Sequence, residues 1–108
     1  MLILFDQGVP LPIRSFLKGH TVRTATQQGR DRLKNGDLLN AAESAGFDLF
    51  LTADKNLRYQ QNLAGRKIAI LVLGQQNWLL LRPHVQVIVD AVNAAAPASF
   101  AEVDVPRN

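Results

Sequence analysis

The sequence contains no cysteine, and this absence excludes both a disulfide framework and a thiolate metal site. Long apolar runs are also missing, since none approaches the roughly 20 residues that cross a membrane. The short apolar start lacks a preceding basic region and contains Asp6, which is unlike a signal peptide. We therefore expect a protein of the reducing cytoplasm that has no membrane partner.

Acidic side chains are in the minority, with nine aspartates and glutamates against twelve lysines and arginines. The basic excess is concentrated in residues 1–36, which hold six basic and two acidic side chains. Such asymmetry admits a polyanionic partner, and a merely solvated basic face is the alternative. The length of 108 residues and the 47% apolar content predict one globular domain over residues 1–108.

Two short apolar runs each lead to an aspartate. Residues 2–5 (LILF) are followed by Asp6, and residues 49–52 (LFLT) are followed by Ala53 and Asp54. Continuous apolar runs of this length are typical of strands that are buried on both faces inside a parallel sheet. The sequence therefore predicts two buried strands, each with an aspartate at its carboxyl end.

Helical and strand patterns alternate along the rest of the chain. Helices are predicted over residues 10–18, 37–45, 55–62 and 78–95, and further strands over residues 21–25, 68–73 and 100–105. Residues 21–25 alternate in polarity like a more exposed edge strand, and Pro83 predicts a kink or a late start in the last helix. The apolar residues of that helix that we expect to face the core are Leu80, Val85, Ile88 and Val92.

This alternation predicts the α/β class, as a Rossmann-like three-layer sandwich with a mainly parallel sheet of four to five strands. If the strand order is 2-1-3-4, the order reverses between the first and third strands. Ligands bind in such sheets at the carboxyl ends of the strands, at the point of reversal. Asp6 and Asp54 would then lie side by side in the binding crevice.

The same geometry sorts the other acidic residues. Asp37 begins a helix that runs antiparallel to the strands, so it reaches the edge that holds Asp6 and Asp54. Glu43 lies about 9 Å further along that helix at 1.5 Å per residue, and Asp48 starts the strand that Asp54 follows, so both miss this edge. Three converging carboxylates repel one another, and a hard cation holds them together. We predict a Mg²⁺ or Mn²⁺ site at this edge, although each aspartate also suits an ordinary helix cap.

Three short motifs contain these aspartates: LFD at residues 4–6, NGDLL at residues 35–39 before an alanine-rich helix, and FLTADK at residues 50–55. In this order they resemble the PIN-like domains, in particular a small bacterial subgroup of unknown function. The resemblance extends from Met1 to about Leu73. It implies a PIN-like fold and a metal-dependent nuclease, commonly an RNase and commonly the toxin of a toxin–antitoxin pair.

For a phosphodiester hydrolase of this kind, the catalytic and metal-binding residues are predicted to be Asp6, Asp37 and Asp54. They would hold one or two divalent ions, which lower the pKa of a bound water and neutralise the leaving oxygen. Thr52 or Asn56 would position a water or a carboxylate beside the metal.

Basic and aromatic residues supply the predicted nucleic-acid contacts. Arg30, Arg32 and Lys34 in the long loop, together with Lys55 beside the metal, would hold the phosphate backbone of RNA or DNA. Trp78 follows a loop on the same edge and could stack on a base. Packing on the core is the more common role for a tryptophan in that position.

The chain departs from the subgroup at three positions. Gln7 and Gly8 stand where the subgroup usually has glutamate and asparagine, and Asn56 stands where it usually has a second acid. These departures favour an alternative function, a degenerate PIN-like module that binds nucleic acid or a protein partner without cleavage. An antitoxin protein and a second copy of the chain are the protein partners left open.

Overall fold

Strands and helices alternate in the computed structural model of the protein, which describes residues 1–25, 35–55 and 66–105 without the side chains of residues 35–37. The strands are β1 (Leu2–Phe5), β2 (Thr21–Thr24), β3 (Leu49–Thr52), β4 (Ala69–Leu73) and β5 (Phe100–Val103). The α-helices in the described ranges are α1 (Asn35–Ser44), α2 (Trp78–Leu81) and α3 (Val85–Ala94). Two 3₁₀ helices cover Leu11–Phe16 and Arg82–His84.

All five strands are parallel and form one sheet in the order β2-β1-β3-β4-β5. The predicted class and the predicted reversal between the first and third strands are confirmed. In the register of β1 against β3, Phe5 lies opposite Leu51. The two strands therefore end nearly level, one residue apart. β2 has the half-exposed alternation expected of an edge strand.

The sheet is buried on both faces, because every residue of β3 and β4 is buried. Successive strand residues point to opposite faces and enter two separate cores. On one face the strands pack against the first 3₁₀ helix, α2 and α3, through side chains such as Phe5, Leu51, Ile13, Leu81 and Ile88. On the other face they pack against α1, through side chains such as Leu4, Phe50, Ile70, Leu38 and Leu39. This arrangement is the predicted three-layer sandwich.

The predicted helix over residues 78–95 is divided in the structure. The 3₁₀ turn at Arg82–His84 contains Pro83 and separates α2 from α3, so the kink is confirmed. Our assignments of Leu80 and Val85 to the core were wrong, since both are half-buried, whereas those of Ile88 and Val92 are confirmed. Leu81 is fully buried in place of Leu80. Leu81 packs in the same core as Ile88, on the face of the sheet that α2 and α3 cover.

Other predicted boundaries differ by a few residues. The first helix is a short 3₁₀ segment rather than a helix over residues 10–18, and α1 begins two residues before Asp37. Apart from Lys55, the predicted helix over residues 55–62 lies outside the described ranges, as do residues 30–34 of the predicted basic loop. Among the helices of the described ranges, none has the length and apolar character needed to cross a membrane.

Candidate functional site

The site lies where β1 and β3 end side by side. Asp6 is the first residue after β1, and its backbone N–H donates to the carbonyl of Leu51 in β3, with an N–O distance of 2.9 Å. The position of Asp6 is therefore fixed by the backbone hydrogen bonds of the sheet. On the other side of β1, the carbonyl of Phe5 accepts from the N–H of Ala25 at 2.9 Å. These bonds hold Asp6 at the point where the strand order reverses.

Thr52 joins the ends of the two strands. It is the one polar residue among the buried residues of the described ranges, with an exposed fraction of 0%. Its hydroxyl donates to Oδ2 of Asp6 at 2.8 Å and accepts from the backbone N–H of Asp54 at 3.1 Å. A buried hydroxyl needs such partners, because an unpaired one loses its hydrogen bonds to water. Thr52 thus links the side chain of Asp6 to the backbone of Asp54.

The carboxylate of Asp6 is oriented by a second hydrogen bond, from the N–H of Gln7 to Oδ1 at 2.9 Å. Each carboxylate oxygen therefore accepts one hydrogen bond from the protein. An ionised carboxylate offers roughly four lone-pair positions, so both oxygens keep capacity for another partner. Such a pre-oriented oxygen donor is suited to a hard divalent cation.

The structure brings two of the three predicted metal ligands to this edge. Asp54 is half-buried and follows β3 by two residues. Asp37 is the third residue of α1, which connects the end of β2 to the start of β3, so its backbone lies at the amino end of that helix. Its side chain is outside the described set. Among the described side chains, no three histidines, aspartates or glutamates form a metal-sized group.

Glu43 and Asp48 lie at the opposite edge, as the strand directions predict. Oδ2 of Asp48 accepts from the N–H of Leu2 at 2.8 Å, at the start of β1. Oε1 of Glu43 lies 3.3 Å from Nη1 of Arg66. Both residues line a cavity of about 730 Å³ near the amino ends of β3 and β4. Although this cavity is large, it lies at the amino ends of the strands. Parallel α/β sheets bind ligands at the carboxyl ends, where the strand order reverses, so we place the chemistry at the edge with Asp6.

A smaller cavity of about 190 Å³ lies at the edge that holds Asp6 and Asp54. Its lining residues are Ala53, Lys55, Gly74, Gln75 and Gln76. Lys55 is exposed, which leaves its ammonium group accessible to an anion. Sequence patterns did not indicate this cavity, because it is formed by the turns after β3 and β4 rather than by a motif.

Trp78 packs against the core on the face that carries α2 and α3. Its ring centroid lies 6.0 Å from that of Phe16, with the planes inclined by 44°. The indole is half-buried, and this packing is the role that the structure describes; stacking on a base stays a prediction. The predicted nucleic-acid contacts Arg30, Arg32 and Lys34 lie outside the described ranges, as does Asn56, which was predicted to position a water or a carboxylate.

Comparison with known proteins gave no match to a family model, a curated protein or a solved structure.

Proposed function

We propose that this protein is a metal-dependent nuclease, an RNase of the PIN-like type that resembles the toxin of a toxin–antitoxin pair. The observation that carries the proposal is the link from Asp6 through Thr52 to Asp54 at the reversal of the strand order. Two acidic residues are held there at the ends of adjacent parallel strands, where α/β sheets bind their ligands.

The donors at this edge fit a hard cation. Asp6 and Asp54 provide carboxylate oxygens, and Asp37 would add a third from the amino end of α1. When bound, Mg²⁺ or Mn²⁺ would lower the pKa of a water and neutralise charge on the phosphate. The protein itself would orient Asp6 through Thr52 and Gln7, so little reorganisation would be needed when an ion binds.

Cations are needed beside the acids, because the carboxylates alone would repel a phosphodiester. Lys55 follows Asp54 directly and is exposed, so it would contact a phosphate at the metal site. Arg30, Arg32 and Lys34 would contact further phosphates along the RNA chain. RNA is the proposed substrate, and single-stranded DNA is tested beside it.

A binding module without nuclease activity is the second candidate function. It is favoured by Gln7, Gly8 and Asn56, which stand where the subgroup that the chain resembles usually has glutamate, asparagine and a second acid. Such a module would bind RNA or a protein partner at the same edge.

Incubation of a labelled single-stranded RNA with the protein separates the two functions. We expect cleavage in Mn²⁺ or Mg²⁺ and none in EDTA, with single-stranded DNA of the same sequence cut more slowly. Binding of the RNA without cleavage under all of these metal conditions would favour the module and contradict the nuclease.

Thr52→Val is expected to lower RNA cleavage about 10- to 100-fold, the usual effect of losing a group that orients a metal ligand. Valine keeps the shape of threonine but removes the hydrogen bonds to Asp6 and Asp54. Thr52→Ser is the matched control, because it keeps the hydroxyl and loses only a methyl group. Thr52→Val should lose about 2 kcal/mol of stability, because it removes two hydrogen bonds, and Thr52→Ser about 1 kcal/mol, because it removes one methyl group. Equal cleavage by the valine and serine variants would show that the hydroxyl has no positioning role.

Removal of the three positive charges of the long loop is expected to weaken RNA binding. It should also make that binding less dependent on salt concentration. The variant replaces Arg30, Arg32 and Lys34 with glutamine. Each lost phosphate contact on a single strand should reduce the slope of log K against log salt by about 0.7, so the full change is about 2. Fluorescence anisotropy at several salt concentrations measures this slope.

The control for that experiment removes the same charge elsewhere on the surface, at the exposed residues Arg14, Lys18 and Lys67. Lys18 and Lys67 precede β2 and β4, at the edge opposite Asp6. Their variant should retain most of the slope. Equal slopes in both variants would mean that the loop makes no specific contribution.

A further inference from the structure

The cavity of about 190 Å³ beside the acids is lined by one side-chain amide that makes no hydrogen bond to the described residues. Three amide residues, Gln75 to Asn77, follow Gly74 at the end of β4. Oε1 of Gln75 accepts from the N–H groups of Gln76 and Asn77, both at 3.0 Å. Its carbonyl oxygen is therefore engaged in holding the turn together.

Asn77 also has a structural role, because its Oδ1 accepts from the N–H of Leu79 at 3.0 Å and caps α2. Gln76 differs from both neighbours. Its side chain is exposed, lines the cavity and makes no hydrogen bond to any described part of the chain. Gln76 is thus the residue of the three whose side-chain oxygen and nitrogen are both open to a ligand.

The side-chain amide of Gln76 lies close to the turns that carry Asp6 and Asp54. A Cβ atom on Gly8 would lie 3.2 Å from Oε1 of Gln76 and 4.0 Å from Cβ of Ala53. Gly8 follows Asp6 by two residues, and Ala53 immediately precedes Asp54. The side chain of Gln76 therefore lies against the turns that carry both acids.

The size and polarity of the cavity limit what it can hold. Its volume of about 190 Å³ is below the roughly 300 Å³ at which pockets for whole drug-sized ligands begin. A single planar base is a better fit than an entire nucleotide. Glutamine offers a donor beside an acceptor, and on the edge that faces the major groove of a duplex only adenine presents the complementary pair, the acceptor N7 and the donor N6. Guanine presents two acceptors on that edge and suits a lysine or arginine instead.

We infer that this cavity binds an adenine base of the RNA strand, recognised by the side-chain amide of Gln76. The inference rests on the proposed function, because it assumes that RNA lies along this edge. Lys55, on the same cavity, contacts the adjoining phosphate. The protein therefore favours adenosine next to the phosphate at the metal site, and sequence preference comes from Gln76 rather than from the acids.

Binding of three labelled nine-residue RNAs tests this site without any catalysis. Each is an oligouridylate with adenosine, guanosine or uridine at the centre, measured by fluorescence anisotropy in EDTA so that no strand is cut. The wild-type protein should bind the adenosine strand about fivefold or more tightly than the uridine strand, as one well-formed amide–base pair provides. Gln76→Ala should remove this difference.

Gln86→Ala is the matched control, since Gln86 is an exposed glutamine on α3 that bonds Asp90 and should leave the preference unchanged. Equal binding of all three strands, a guanosine preference, or an adenosine preference that survives Gln76→Ala would overturn the inference even if the protein cleaves RNA in Mn²⁺. An adenosine preference that depends on Gln76, without any cleavage in Mn²⁺, would support the base site and contradict only the nuclease.

Discussion

Asp6→Asn is expected to lower RNA cleavage by at least about 100-fold, the upper end of the effect of losing a residue that merely orients a metal ligand. Asparagine has the shape of aspartate and keeps one oxygen that can accept from Thr52 or Gln7. It lacks the negative charge that a divalent ion requires. The fold should therefore survive while the site loses its cation. Cleavage rates in Mn²⁺ at saturating RNA measure the effect.

Asp48→Asn is the control for that variant. Asp48 makes the same kind of hydrogen bond as Asp6, with Oδ2 accepting a backbone N–H at 2.8 Å, but it lies at the opposite edge of the sheet. The charge change is identical, so nonspecific attraction of RNA alters equally in both variants. Comparable loss of cleavage in the two variants would remove Asp6 from the catalytic site.

Phe50→Ala is expected to reduce the free energy of unfolding by about 3 to 5 kcal/mol. Phe50 is 0% exposed and lies in the middle of β3, between Leu4 of β1 and Ile70 of β4. Removal of the ring leaves a cavity in the core between the sheet and α1. A domain of this kind has a total stability of roughly 5 to 15 kcal/mol, so a large share would be lost. Urea unfolding monitored by circular dichroism measures the change.

Leu79→Ala provides the matched comparison, because Leu79 is a large apolar residue that is 68% exposed. Its loss should change the unfolding free energy by less than about 0.5 kcal/mol. A cost below about 1 kcal/mol for Phe50→Ala would contradict the burial of β3, and with it the placement of Thr52 and Asp54 at the end of that strand.

The sequence was sufficient to predict the sheet because β1 and β3 are continuous apolar runs that end in polar residues. A strand that is buried on both faces has an uninterrupted run of apolar residues, which is easy to recognise. Because the strands are parallel, Asp6 at the end of β1 and Asp48 at the start of β3 are then assigned to opposite edges. The last helix was harder to predict. Leu80 and Leu81 are equally apolar, and only the packing of α2 beside α3 decides which of them is buried.

The hydrogen bonds of the site could be predicted only in part. Thr52 was expected to position a water or a carboxylate, and it ends a buried strand two residues before Asp54. The roles of Gln75, Gln76 and Asn77 could not be separated, because three consecutive amides look alike until the turn after β4 is formed. The proximity of Gly8 to Gln76 depends on two turns that are almost 70 residues apart in the chain, and no local pattern encodes it.

Titration of the metal-free protein with Mn²⁺ in a calorimeter tests the central claim most directly, because it requires no knowledge of the substrate. We predict saturable binding to the wild-type protein, similar binding to Asp48→Asn, and strong loss of binding in Asp6→Asn and Asp54→Asn. Each variant must first be shown to fold, by its circular dichroism spectrum. Absence of Mn²⁺ binding to the wild-type protein, or equal binding to all four proteins, would contradict a cation site at the ends of β1 and β3.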